Sequence, residues 1–151
     1  MKTLYYISLI VILGACGNNS DSTERADGFS KTSTTPEDSL FDAVMEDHDI
    51  AMPKMKQLER SRLQLDAKAD SLTKLKSSAT KTLQTEYRAV SAELKQAEDN
   101  MNKWMDEFSL DSAQNETPQR LPYLTSQKKK VARVKEDVLS ALAKADSTLK
   151  K

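Results

Sequence analysis

Two small sets of residues in this 151-residue chain have types and spacings that could do chemistry. The first is Cys16, the only cysteine, which stands directly behind the small residues Gly14 and Ala15. A thiol is a nucleophile, and one flanked by residues narrow enough to enter a peptidase pocket is placed for covalent modification. The second set gathers soft donors. Apart from Met1, the methionines occupy two short windows: Met45, Met52 and Met55 with His48, the only histidine, and Met101 and Met105 with Trp104, the only tryptophan. Thioethers and an imidazole suit Cu(I), and an indole face can cover such a cation. The competing use of the same residues is packing, because methionine fills irregular gaps against aromatic rings. His48 then needs only hydrogen bonds, for which Asp47 and Asp49 are the neighbouring acceptors.

The chemistry expected of Cys16 depends on what precedes it. Lys2 puts one positive charge ahead of an apolar run from Leu4 to Leu13, broken only by Ser8. At about 10 residues the run is half the length of a membrane-spanning helix. A charged start, a short apolar middle and small residues before a cut site make a secretory signal over residues 1–15. Leu13-Gly14-Ala15-Cys16 resembles a lipobox, which implies cleavage before Cys16, a diacylglyceryl group on its sulfur and acylation of the new amine. One acyl chain binds a membrane marginally, but each buried methylene adds about 0.8 kcal/mol, so two or three chains anchor firmly. The expected partner is therefore the lipid bilayer, reached through the N-terminal acyl chains. With its only thiol so used, the mature chain has no disulfide, thiolate metal site or catalytic cysteine.

Composition narrows the remainder. The whole chain carries 23 basic and 23 acidic side chains, and loss of Lys2 with the signal leaves a net charge of −1. Nucleic-acid binding, which calls for a clearly basic face, is not expected. After cleavage the only glycines are Gly17 and Gly28, and the body beyond them is rich in Ala, Leu, Lys, Glu, Gln and Ser. That balance favours helices.

The elements that must position these residues follow from periodicity. Residues 16–35 are polar and aperiodic, and read as a lipidated cysteine on a disordered tether. A coil of that length spans about 25 Å. Residues 36–151 form the body. Thr35-Pro36-Glu37-Asp38 is a helix start, with a capping hydroxyl, proline in the first turn and acids at the positive dipole end. From it, Phe41, Val44, Met45, His48, Met52, Met55, Leu58, Leu65, Ala69, Leu72 and Leu75 recur at helical spacing over about residues 36–76. Pro53 lies inside this run; it lacks an N–H and clashes with the carbonyl of Asp49, so a kink or short break is expected there.

A second helix, about 80–108, carries Leu83, Tyr87, Val90, Leu94, Ala97, Met101, Trp104 and Phe108 in unbroken steps of four and three. The segment before it lacks Gly and Pro, so one continuous helix is the alternative to a hairpin. Residues 109–120 read as a polar linker. A third helix, about 122–150, aligns Leu124, Val131, Val134, Val138, Leu142, Ala145 and Leu149. The expected fold is all-α, an antiparallel three-helix bundle. Lys128-Lys129-Lys130 on the third helix could meet lipid headgroups or an anionic partner, although such a run is more often a solvated face.

On one helix face, Met45, His48, Met52 and Met55 fall within roughly 80°. A hairpin turning near Ser78 would set Met52 opposite Trp104 and Met55 opposite Met101. The run His48-Asp49-x-x-Met52-Pro53-Lys54-Met55, followed by Trp104-Met105, resembles a family of small Bacteroidetes lipoproteins labelled "viral A-type inclusion protein". The resemblance covers residues 40–145 and implies an envelope helical protein without assigned activity. Surface export in that group resembles a requirement for acidic residues just after the lipidated cysteine. Gly17-Asn18-Asn19-Ser20 stands there instead, which points to the periplasmic face of the outer membrane.

No enzyme is expected. One histidine, no free cysteine, no glycine-rich phosphate loop and no paired acids in an apolar setting leave little for catalysis. The leading expectation is a lipid-anchored helical interaction or structural domain with an envelope protein partner. The alternative is a periplasmic Cu(I)-binding protein using Met45, His48, Met52, Met55, Met101 and Met105.

Overall fold

In the computed structural model, residues 35–75, 77–115 and 117–150 are described. The expected signal, Cys16 and the tether lie outside these residues. Helix α1, Pro36–Ala51, begins at a capping box: the Thr35 hydroxyl accepts from the Asp38 N–H at 3.1 Å and the Asp38 carboxylate accepts from the Thr35 N–H at 3.2 Å. Two of the orphan donors of the first turn are thereby satisfied. The α-helix gives way to a 3-10 turn at Met52–Lys54, where Pro53 removes a backbone donor. Helix α2, Met55–Leu72, then continues the same arm.

A turn separates α2 from α3, Ser78–Glu107, so the chain forms a hairpin and not one long helix. Ser77 starts α3 by a second capping box with Thr80, a polar stop-and-start signal that does the work Gly or Pro would otherwise do. The segment expected to be plain linker holds a short helix, α4, Leu110–Gln114, started by the Ser109 hydroxyl accepting from Ser112 N–H at 3.2 Å. Helix α5, Arg120–Leu149, completes the fold. The first arm thus stops at Leu72 instead of 76, α3 begins at Ser78 instead of 80, and α5 begins at Arg120 instead of 122. Among the described residues there is no strand, and the fold is all-α.

Named side-chain ties give the directions of the helices. The Asp66 carboxylate accepts from Arg88 (3.1 Å) and Ser91 (2.7 Å), and Gln84 donates to the Ala69 carbonyl (3.1 Å). Rising numbers on α2 meet falling numbers on α3, so the two are antiparallel. Trp104 with Gln127, Asn100 with Asp137 and Glu93 with Lys144 set α3 antiparallel to α5. Asp38 with Arg120, Asp47 with Lys135 and the Leu149 carbonyl with Lys68 run the first arm parallel to α5. The result is an up-down-up bundle of three arms.

Its main core contains Val44, Leu58, Leu65, Val90, Leu94, Met101, Val131 and Val138, each at most 1% exposed. Burying one such side chain stabilises by about 1.5–3 kcal/mol. A smaller core of Phe41, Ala113 and Leu124 lies where α1, α4 and α5 meet, with Phe108 packed against both cores.

Two residues of the expected first-arm stripe are displaced outward: Met52 is 40% exposed and Leu75 57%. Steps of four then three through His48, Met52 and Met55 fit a helix no better than steps of three then four through Ala51. The fold takes the second path, with Ala51 fully buried. Met52 continues from α1 with its N–H bonded to the His48 carbonyl, and its side chain is left at the surface. Leu75 lies beyond the end of α2, in the turn.

Candidate functional site

The antiparallel pairing of the first arm with α3 brings the histidine and tryptophan windows together. His48, on the last turn of α1, sets its ring 5.7 Å from that of Trp104, tilted by 38°. The stack continues along one end of the bundle. Trp104 and Phe108 lie 5.0 Å apart at 32°, and Phe108 and Tyr123 lie 6.0 Å apart at 34°. Tilted ring pairs at these separations suit the aromatic quadrupole better than a face-to-face sandwich. Four rings from α1, α3, the residue after α3 and α5 thus fasten three arms at the end where α4 crosses.

Each polar atom of the stack has a defined role. The Trp104 indole N–H donates to the Gln127 side-chain carbonyl at 3.0 Å, with both residues at most 5% exposed. The Tyr123 hydroxyl accepts from the backbone N–H of Ser109 at 2.7 Å. His48 Nδ1 and an Asp49 carboxylate oxygen are 2.9 Å apart. Of the two neighbouring acids, Asp49 therefore serves the ring, while Asp47 pairs with Lys135 on α5. The hydrogen bond to Asp47 raises the Lys135 pKa above its usual 10.5, by favouring the charged ammonium.

The methionines divide among different surroundings. Met101 is fully buried in the main core, and Met55 and Met105 pack against that core from partly exposed positions. Met45 packs instead against the smaller core beside Phe41 and Leu124. Met52 faces solvent, so the expected opposition of Met52 and Trp104 is replaced by that of His48 and Trp104. The hairpin brings the two windows side by side, while the individual thioethers are spread through two cores and the surface. Among the described residues, no group of three or more His, Cys, Asp or Glu side chains is arranged to hold a metal ion. Cys16, the expected lipidation site, lies outside the described residues.

Two polar residues important to this end were not singled out by sequence. Gln127 occupies the gap between Leu124 and Val131 in the apolar stripe of α5, a position where an apolar side chain would be expected. A polar residue in a core stripe implies a buried partner, and the lone tryptophan supplies it. Arg120, 7% exposed, donates through Nε to the Ala113 carbonyl at 2.8 Å and through its terminal nitrogen to Asp38 at 2.6 Å. One guanidinium joins the end of α4, the start of α1 and the start of α5. Arg120 stands before Pro122, where the sequence reads as linker, and only the fold shows that the linker is packed.

Fold and site together define an all-α bundle closed at one end by a stack of four rings. No known protein family, curated protein or solved structure matches this chain. No helix among the described residues is long and apolar enough to cross a membrane.

Proposed function

We propose that this chain is a lipid-anchored, non-enzymatic helical module of the bacterial cell envelope, held at the periplasmic face of the outer membrane. The observation that carries this reading is Leu13-Gly14-Ala15-Cys16 behind a short apolar run, with no second cysteine to compete for the motif. An envelope lipoprotein of this kind needs a body that folds without disulfides. The bundle meets that requirement through continuous apolar packing and buried hydrogen bonds, with Trp104–Gln127 at its ring-stacked end. His48, the one imidazole, is held against Trp104 and Asp49, which is a structural employment. The module's task on this reading is to present helical surfaces to an envelope partner.

The test is fractionation of bacteria producing the chain or its Cys16→Ser variant. The parent protein sediments with membranes and is released by detergent, whereas the variant is recovered in the soluble fraction. Membrane retention of the variant in full would refute lipid anchoring. The Cu(I) reading draws less support, because Met52 is at the surface and Met45 belongs to a different core from Met101. A Cu(I) titration followed by Trp104 fluorescence separates the two readings: no quenching and no binding tighter than micromolar leaves the methionines as packing.

A further inference from the structure

Several charges on this bundle are paired within or between helices. Arg62 with Asp66, Lys95 with Asp99 and Lys103 with Glu107 are opposite charges four residues apart, and Lys144 with Glu93 and Lys135 with Asp47 bridge helices. One region gathers cations from two helices. On α5, Lys129, Lys130 and Arg133 place like charges one turn apart, an arrangement that opposes helix formation. Lys130 and Arg133 have no ion-pair partner among the described residues. Both line a groove of about 310 Å³ between α3 and α5, with Trp104 also in its wall. Lys103 enters the same groove from α3, and its own pair with Glu107 is long, at 3.8 Å. The groove's other acid, Asp137, already accepts from the Asn100 amide at 3.1 Å.

We infer that this α3–α5 groove binds a phosphate-bearing anion, with Lys103, Lys130 and Arg133 as its ligands. Three cations reaching in from two helices suit a group that presents several charged oxygens. A planar guanidinium can take two phosphate oxygens at once, while each ammonium acts as a point charge. Binding an anion there offsets the mutual repulsion of Lys130 and Arg133. The phosphate could come from a lipid headgroup or from a soluble ester. The groove is a property of the bundle and stands whether or not Cys16 is acylated.

The experiment uses the full chain purified in a non-ionic detergent, at low salt, with binding followed by calorimetry and by the fluorescence of Trp104. The probes are inorganic pyrophosphate and the short-chain lipid dihexanoyl phosphatidylglycerol, with zwitterionic dihexanoyl phosphatidylcholine as control. Saturable binding of either anionic probe is expected, weakening as salt is raised. Binding of pyrophosphate alone identifies a soluble ester as the source, and binding of the anionic lipid alone identifies a headgroup. The double variant Lys130→Gln/Arg133→Gln is expected to bind at least about tenfold more weakly, through loss of two charge-assisted contacts. Lys54→Gln/Lys74→Gln removes the same charge outside the groove and should bind as the parent does. Far-UV circular dichroism and melting establish that both variants are folded. Absence of binding by both anionic probes overturns the inference. So does equal weakening by the two double variants.

Discussion

Replacing Gln127 with leucine tests whether the buried polar bond at the ring-stacked end is structural. Leucine is close to glutamine in size and fits the apolar stripe, so the substitution removes the acceptor without opening a large cavity. What remains is the Trp104 N–H, in a residue only 5% exposed and deprived of its 3.0 Å partner. A buried donor left unsatisfied costs about 1–3 kcal/mol, less whatever leucine gains by apolar burial. For a body of roughly 115 residues, each kcal/mol lowers the melting temperature by about 4 °C, giving a fall of about 4–10 °C. The assay is thermal and urea unfolding by circular dichroism. Trp104→Phe and the double variant complete a cycle. Once the indole N–H is gone, Gln127→Leu should cost little or even stabilise, so the two effects should be coupled by at least about 1 kcal/mol. Additive effects, or a Gln127→Leu melting point within a degree of the parent's, would refute the assignment.

The methionines should separate by location. Met101→Ala, in the fully buried core, is expected to cost about 2–5 kcal/mol, whereas Met52→Ala at the surface should stay within about 0.5 kcal/mol; urea unfolding measures both. Thr35→Ala removes the hydroxyl of the α1 capping box and should cost about 1 kcal/mol by the same measurement. The Lys135–Asp47 pair predicts a pH dependence. The Lys135 pKa is raised on folding, so its contribution is fully present below about 10.5 and is lost as pH rises through the higher folded value. Stability measured from pH 8 to 12 should therefore fall less steeply in Asp47→Asn than in the parent; parallel curves would contradict the pairing.

The three arms were legible because their apolar steps are regular. The stripe from Leu83 to Phe108 on α3 is the clearest case, and its central residues, Tyr87 to Trp104, are buried. Periodicity failed where two paths are equally helical. Ala51 and Met52 both satisfy the spacing around the proline, and only packing into the main core chooses the smaller residue for the inside. The same limit hid α4, whose five residues are too few for a period to register, although Ser109 is a recognisable cap. At the candidate site, the juxtaposition of the His48 and Trp104 windows followed from hairpin register. Which side chains meet within it did not, because the path that turns Ala51 inward carries Met52 to the surface and leaves His48 as the residue against Trp104. Arg120 and Gln127 are buried polar residues whose partners are distant in sequence or in another helix, and pattern alone could not pair them.

On the function we propose, the mature protein begins at an acylated Cys16. Its most direct test is the intact mass of the protein isolated from a bacterial membrane, with fragmentation of the N-terminal peptide. Loss of residues 1–15 and a Cys16 carrying a diacylglyceryl group, with or without a further acyl chain on its amine, are expected. A membrane-bound protein that still begins at Met1 and has an unmodified Cys16 thiol would contradict it.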